Sequence, residues 1–243
     1  MTDQTTAAPP SDPSTQDRII DATSRHLAEL GPRAVEVRAI CLELDLSPSL
    51  VNYYFSSPGE LIWRAALLGY ERHVEEMKRR FERAKDGKEA VEGWVLGTIE
   101  WTRANPGIAA VIDFPMLALS TEDGKATDAF VKEMSAPSRA NVTTLGSAIY
   151  SLMTGKPPRR LSTARVAALI KLNSEYAFWI STVGFGGQGA AMWVAGRKPY
   201  NFVWKAFGFS PDRQIRSTLR GLVAQISEKG DAGLPEVDED EAD

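Results

Sequence analysis

The stretch Leu44-Asp45-Leu46-Ser47-Pro48-Ser49-Leu50-Val51-Asn52-Tyr53-Tyr54-Phe55 constrains the chain more than any other. Ser47 can cap a helix through its hydroxyl, and Pro48 suits the first helical position, where its missing N–H costs nothing. From there Leu50, Val51, Tyr54 and Phe55 fall on one face at helical spacing, and Ser49, Asn52 and Tyr53 fall on the other. One face can pack while the other meets a partner. Two helical turns are not stable alone, so neighbouring segments must hold them.

Those neighbours have the right form. Val37, Ile40, Cys41 and Leu44 stand at i, i+3, i+4 and i+7, a one-sided helix, and the small Cys41 lets two helices approach closely. Asp45 sits in the turn, where a left-handed conformation is expected and Asp tolerates it better than most residues. Upstream, Arg18 to Leu30 reads as a first helix with Ile20, Thr23, Leu27 and Leu30 facing inward, ended by Gly31-Pro32. Three short helices with a tight turn between the second and third form a helix-turn-helix of the kind that reads DNA.

Residues 17 to about 62 resemble the N-terminal domain of the TetR family of bacterial transcriptional regulators. The resemblance is carried by Ile19-Ile20-Asp21-Ala22, Gly31, Val37-Arg38-Ala39-Ile40-Cys41, Leu46-Ser47, Tyr54-Phe55 and Glu60-Leu61. It implies a homodimer, a ligand pocket in a second helical domain, and release from operator DNA when the ligand binds. The chain departs from the family's usual residues at four places: Asp45 stands for Gly, Asn52 for Tyr, Tyr54 for His and Pro58 for Lys. It also has Val35-Glu36 where the second helix often starts with Ser or Thr. Several of the replaced residues usually bind phosphate.

The charge agrees with those departures. Residues 17–64 hold five arginines, no lysine and seven carboxylates, a net of about −2. Phosphate neutralisation supplies much of DNA affinity, so few cations here mean weak non-specific binding. The formal charge of −4 over 243 residues hides an asymmetry, because an acidic tail follows a mildly basic body. The length allows one large or two modest domains, and the single cysteine excludes an internal disulfide; with no secretory signal, a cytoplasmic location is expected.

The chain divides into an N-terminal arm, 1–13, expected to be disordered; a helix-turn-helix domain, 14–64; a helical ligand-binding and dimerisation domain, 65–228; and an acidic tail, 229–243. In the second domain, Ser57-Pro58-Gly59-Glu60 opens a fourth helix that turns charge-rich beyond Tyr70 and ends at Asp86-Gly87. Further helices are expected over 88–104, over 125–154 with Pro137 as a kink or early break, over 161–183 and over 211–228. Residues 108–119 are almost wholly apolar, and Gly155 to Arg160 reads as a basic loop. No strand alternation is visible, so the fold class is all-α. The apolar rows at 163–183 and 211–226 look too wide for one bundle, which points to a two-fold dimer.

No constellation for catalysis is present. His26 and His73, the two histidines, lack partners at metal-ligand spacing, and no nucleophile elbow occurs, so neither an enzyme nor a cofactor is expected. Residues 176–196 contain no charged side chain, but glycines at 184, 186, 187 and 189 make a poor membrane span. The same glycines follow a helix and lack a Lys-Ser/Thr, so they do not form a phosphate loop. A buried helix and an apolar loop at a subunit interface fit better.

The functional expectation is a DNA-binding transcriptional regulator, a repressor released from a palindromic double-stranded operator by a small apolar or aromatic effector. The alternative is a helical ligand or partner sensor that keeps the fold but reads no DNA. The DNA-contacting set is Arg33, Arg38, Ser47, Pro48, Ser49, Asn52, Tyr53 and Tyr54, with Asn suited to adenine and Tyr to a thymine methyl. The effector set is Trp94, Trp101, Asp113, Phe114, Met116, Tyr150, Asn173, Tyr176 and Trp179, an aromatic and Met-rich group with three polar members for orientation.

Overall fold

A computed structural model describes residues 14–113, 124–163, 165–166 and 211–229. Among them are eight helices: α1 (Thr15–Leu30), α2 (Val37–Leu44), α3 (Pro48–Tyr54), α4 (Pro58–Arg83), α5 (Gly87–Ala104), α6 (Pro106–Asp113), α7 (Gly124–Thr154) and α8 (Pro211–Lys229). The described residues contain no strand, and the fold is all-α as the sequence requires.

Helix starts follow local capping chemistry. Ser14 and Asp17 form a capping box, the Ser14 hydroxyl accepting from the Asp17 N–H at 3.1 Å and the Asp17 carboxylate from the Ser14 N–H at 3.3 Å. This places the start of α1 at Thr15, three residues before the position expected from apolar spacing. Ser57 caps α4 through the Glu60 N–H at 3.1 Å, with Pro58 in the first turn. Asp86 does not help end α4. That helix stops at Arg83, and the Asp86 carboxylate instead caps α5 by accepting from the Glu89 N–H at 2.8 Å. Pro106 likewise opens α6 directly after Asn105 ends α5. Helix α7 runs through Pro137 without a break in assignment.

Three apolar clusters hold these helices. Ile19, Ala22, Ile40, Cys41, Val51, Phe55 and Leu61 join α1, α2 and α3 to the start of α4. Leu27, Ala28, Trp63, Ala66, Ile108, Val111, Phe130 and Met134 join α1 and α4 to α6 and α7. Phe81, Val91, Val95, Ile99, Leu145, Ile149 and Leu152 form the third, with Leu219, Val223 and Ile226 from α8. Each large side chain buried this way stabilises the fold by about 1.5–3 kcal/mol before entropy is counted. Helix α4 contributes to all three and so links the helix-turn-helix to the larger bundle.

Two expectations need correction. Leu30 is exposed, not inward; Thr23 and Leu27 are buried as expected, Ile20 is half-buried, and Ile19 and Ala22 widen the inner face of α1. Leu219, Val223 and Ile226 of α8 are buried within the chain's own bundle, so these three side chains are not part of a leftover apolar face. The arm 1–13, the second row at 167–183, the charge-free stretch 176–196 and the tail beyond Lys229 lie outside the described residues.

Candidate nucleic-acid interface and aromatic cluster

The turn before the reading helix is built by α2 and Asp45. Asp45 adopts φ 55° and ψ 49°, the left-handed region, and among the described residues it is the one non-glycine residue with positive φ. The Leu46 N–H then donates to the Cys41 carbonyl at 2.9 Å and closes the turn. Ser47 caps α3 by accepting from the Leu50 N–H at 3.4 Å, and its hydroxyl also pairs with that of Ser49 at 2.9 Å. Val51 and Phe55 are buried, and Cys41 is buried where α2 packs against α1 and α3.

The opposite face of α3 is open. Ser47, Pro48, Ser49, Asn52 and Tyr53 are exposed, Tyr53 at 80%, while Tyr54 is half-buried and meets Tyr53 edge to face at 5.2 Å. Arg33, in the turn after α1, and Arg38, on α2, are also exposed; among the described residues neither forms an ion pair. The eight residues expected to contact DNA therefore lie on α2, α3 and their flanking turns.

Three other arginines, Arg25, Arg64 and Arg72, are occupied. Arg25 bridges Asp21 and Glu43, reaching the latter at 2.5 Å; Arg72 of α4 reaches Asp21 at 2.6 Å; and Arg64 reaches Glu60 at 2.8 Å. Glu43 also meets His26 Nε2 at 2.7 Å. The Arg72 hydrogen bond holds the Asp21 carboxyl below its usual range against the opposing effect of burial, and the Arg25 and then His26 hydrogen bonds do the same for Glu43. Exposed pairs like these stabilise little, but each one consumes a cation that phosphate binding could use. Arg18, Arg64 and Arg72 also border a cleft of about 450 Å³ between α1 and α4, floored by Ile20, Leu67 and Leu68.

The residues expected to meet an effector divide. Trp101 packs with Trp63, Ile108 and Phe130, and Trp94 with the α5–α7–α8 cluster. A polar chain joins them: the Trp94 indole N–H donates to Asn141 Oδ1 at 3.0 Å, and Asn141 Nδ2 donates to the Tyr70 hydroxyl at 3.2 Å. Tyr70 lies edge-on to Trp101 at 6.3 Å. His73 stacks on Trp101 at 4.5 Å and 29°, with its centroid 5.8 Å from Tyr70. Burial, reinforced by Arg80 and opposed by Glu76, lowers the His73 pKa to about 4, so the imidazole is neutral at pH 7. Tyr70, His73 and Asn141 were not among the expected effector residues. The i, i+3 spacing of Tyr70 and His73 on α4 was the available signal.

Tyr150 is elsewhere, packed against Leu161 and Val166. The side chain of Asp113 and the residues Phe114, Met116, Asn173, Tyr176 and Trp179 lie outside the described residues. Among the described residues no group of three His, Cys, Asp or Glu could hold a metal ion, and no helix is long and apolar enough to cross a membrane.

The sequence matches no family model and none of the curated proteins. Solved structures do match. The fatty acid degradation regulator FadR from Bacillus halodurans superposes with a TM-score of 0.52 at 15% identity, covering 88% of this chain and 97% of that one. A bacterial regulatory protein in the tetR family from Rhodococcus RHA1 gives a TM-score of 0.51 at 14% identity, covering 88% and 98%. The chain therefore has the TetR-like fold, an N-terminal helix-turn-helix followed by a larger helical part.

Proposed function

We propose that the chain is a DNA-binding transcriptional repressor, a homodimer on a palindromic duplex site, released by a small apolar or aromatic effector. Residues 14–64 read DNA, and residues 65–228 bind the effector and dimerise. The observation that carries this reading is the split surface of α3, with Val51 and Phe55 buried and Ser49, Asn52 and Tyr53 exposed side by side. Asn52 is suited to adenine, Tyr53 to a thymine methyl, and Arg33 and Arg38 to phosphate. Effector binding against Trp101 would act on α4, which touches both the helix-turn-helix and the bundle, and so change the spacing of two reading helices. A gel shift with the DNA flanking the chain's own gene tests this, with a discrete retarded band as the expected result.

A second reading is favoured by the charge of this surface. Glu36, Glu43 and Asp45 are exposed beside the reading helix, and Arg25, Arg64 and Arg72 are paired internally. On that reading the chain is a ligand or partner sensor that binds no DNA, and the same gel shift shows no band at low salt.

A further inference from the structure

His73 carries an unsatisfied bond at the aromatic cluster. Its ring is 1% exposed, and its Nδ1 has no hydrogen-bond partner among the described residues. Leaving a buried nitrogen unpaired costs about 1–3 kcal/mol. A packed core would normally place Phe or Leu here. Neighbouring polar groups do not relieve it: the Asn141 amide is engaged by the Trp94 indole on one side and by the Tyr70 hydroxyl on the other. The ring itself is stacked on Trp101, which fixes the plane in which Nδ1 lies.

The charge around His73 narrows what could complete it. Arg80 is the cation whose charge bears on His73, and it is paired twice, to Glu76 at 3.0 Å and to Glu100 at 3.1 Å. Arg80 is spent in these pairs, and a neutral imidazole offers one hydrogen bond rather than a charge. The neighbouring rings, Trp101 and Tyr70, favour a flat partner in offset or edge contact.

We propose that His73 is the polar contact for the effector, and that the effector is an uncharged aromatic molecule carrying one hydroxyl-type hydrogen-bonding group, which pairs with Nδ1 while its ring lies against Trp101. This rests on the aromatic effector site proposed above and adds its chemistry. Recognition by a single buried polar group discriminates strongly against the analogue that lacks the partner, because the nitrogen is then left bare.

The test uses two isosteric probes on the full chain, 1-naphthol and 1-methylnaphthalene, titrated calorimetrically. The wild type should bind naphthol at least tenfold tighter. His73→Phe should bring the ratio close to one while keeping affinity for methylnaphthalene. A measurement that needs no stable variant at this position is the ¹⁵N shift of the His73 ring, assigned against His26→Gln, since the chain has two histidines. That shift should move with naphthol and stay with methylnaphthalene. Equal binding of both probes, or an unmoved ring, overturns the role of His73 and leaves an aromatic site standing. Binding of neither probe overturns the aromatic site as well.

Discussion

Gly107 lies against the end of α1: a Cβ placed on it would fall 1.8 Å from the carbonyl oxygen of Leu27. That same carbonyl accepts the Gly31 N–H at 3.0 Å to close the helix. The first turn of α6 and the last turn of α1 thus meet backbone to backbone, which only glycine permits at 107. Helix α6 thereby bears directly on the first helix of the N-terminal helix-turn-helix part. Gly107→Ala should force the two helices apart and cost about 3 kcal/mol, the upper range for overpacking. Urea denaturation followed by circular dichroism measures this, and an unchanged midpoint would mean the contact yields freely.

Asp45 separates stability from binding. In the left-handed region a side chain is disfavoured, so Asp45→Gly should stabilise the chain by about 0.5–1 kcal/mol, and Asp45→Val should destabilise it by more. Asp45→Gly also removes an exposed carboxylate beside α3. If that face meets phosphate, non-specific DNA binding should strengthen at low salt while the thermal midpoint rises. A rise in stability with no change on DNA would favour the sensor reading.

The His73 pKa has a definite consequence for stability. Its folded value, about 4, lies below the ordinary 6.5, so between those values the unfolded chain binds more protons than the folded one. Stability should therefore fall as pH drops from about 6.5 to about 4, by a total of about 3 kcal/mol from this group. The fall should be complete near pH 4 and absent above pH 7. His73→Phe should remove it, which a comparison of urea midpoints at pH 7 and pH 5 would reveal.

The reading face predicts two kinds of defect. Asn52→Ala and Tyr53→Ala should leave folding intact, because both side chains are exposed, and should each cost about 1–3 kcal/mol on the cognate site and far less on random DNA. Arg38→Ala should weaken both about equally and flatten the salt dependence by roughly one unit. Anisotropy titrations on specific and random duplexes at three salt concentrations separate the two patterns.

How far the fold could be read from the residues depended on the range of the interaction. Ser47-Pro48, the Val51–Phe55 face and the left-handed Asp45 are set within a few positions, and all stood as expected. The Ser14–Asp17 capping box is equally local, but apolar periodicity begins later and drew the start of α1 to Arg18. Asp86-Gly87 suits a helix stop as well as a start, because turn residues also cap helices, and Asp86 does the second. The pairing of Asn141 with Tyr70 joins residues 71 positions apart, which no local pattern encodes. The burial of Leu219 depends likewise on α5 and α7, so an apolar row that seemed spare is internal. Leu219→Arg would accordingly disrupt the bundle itself.

The most direct measurement is a selection from random duplexes with effector-free protein at low salt. The split surface of α3 and a two-fold dimer predict enrichment of a palindrome whose half-sites lie about one helical turn or a multiple apart, and Asn52→Ala should relax the preference at one base pair in each half. Recovery of unenriched sequence would contradict DNA reading by this fold and leave the sensor function in its place.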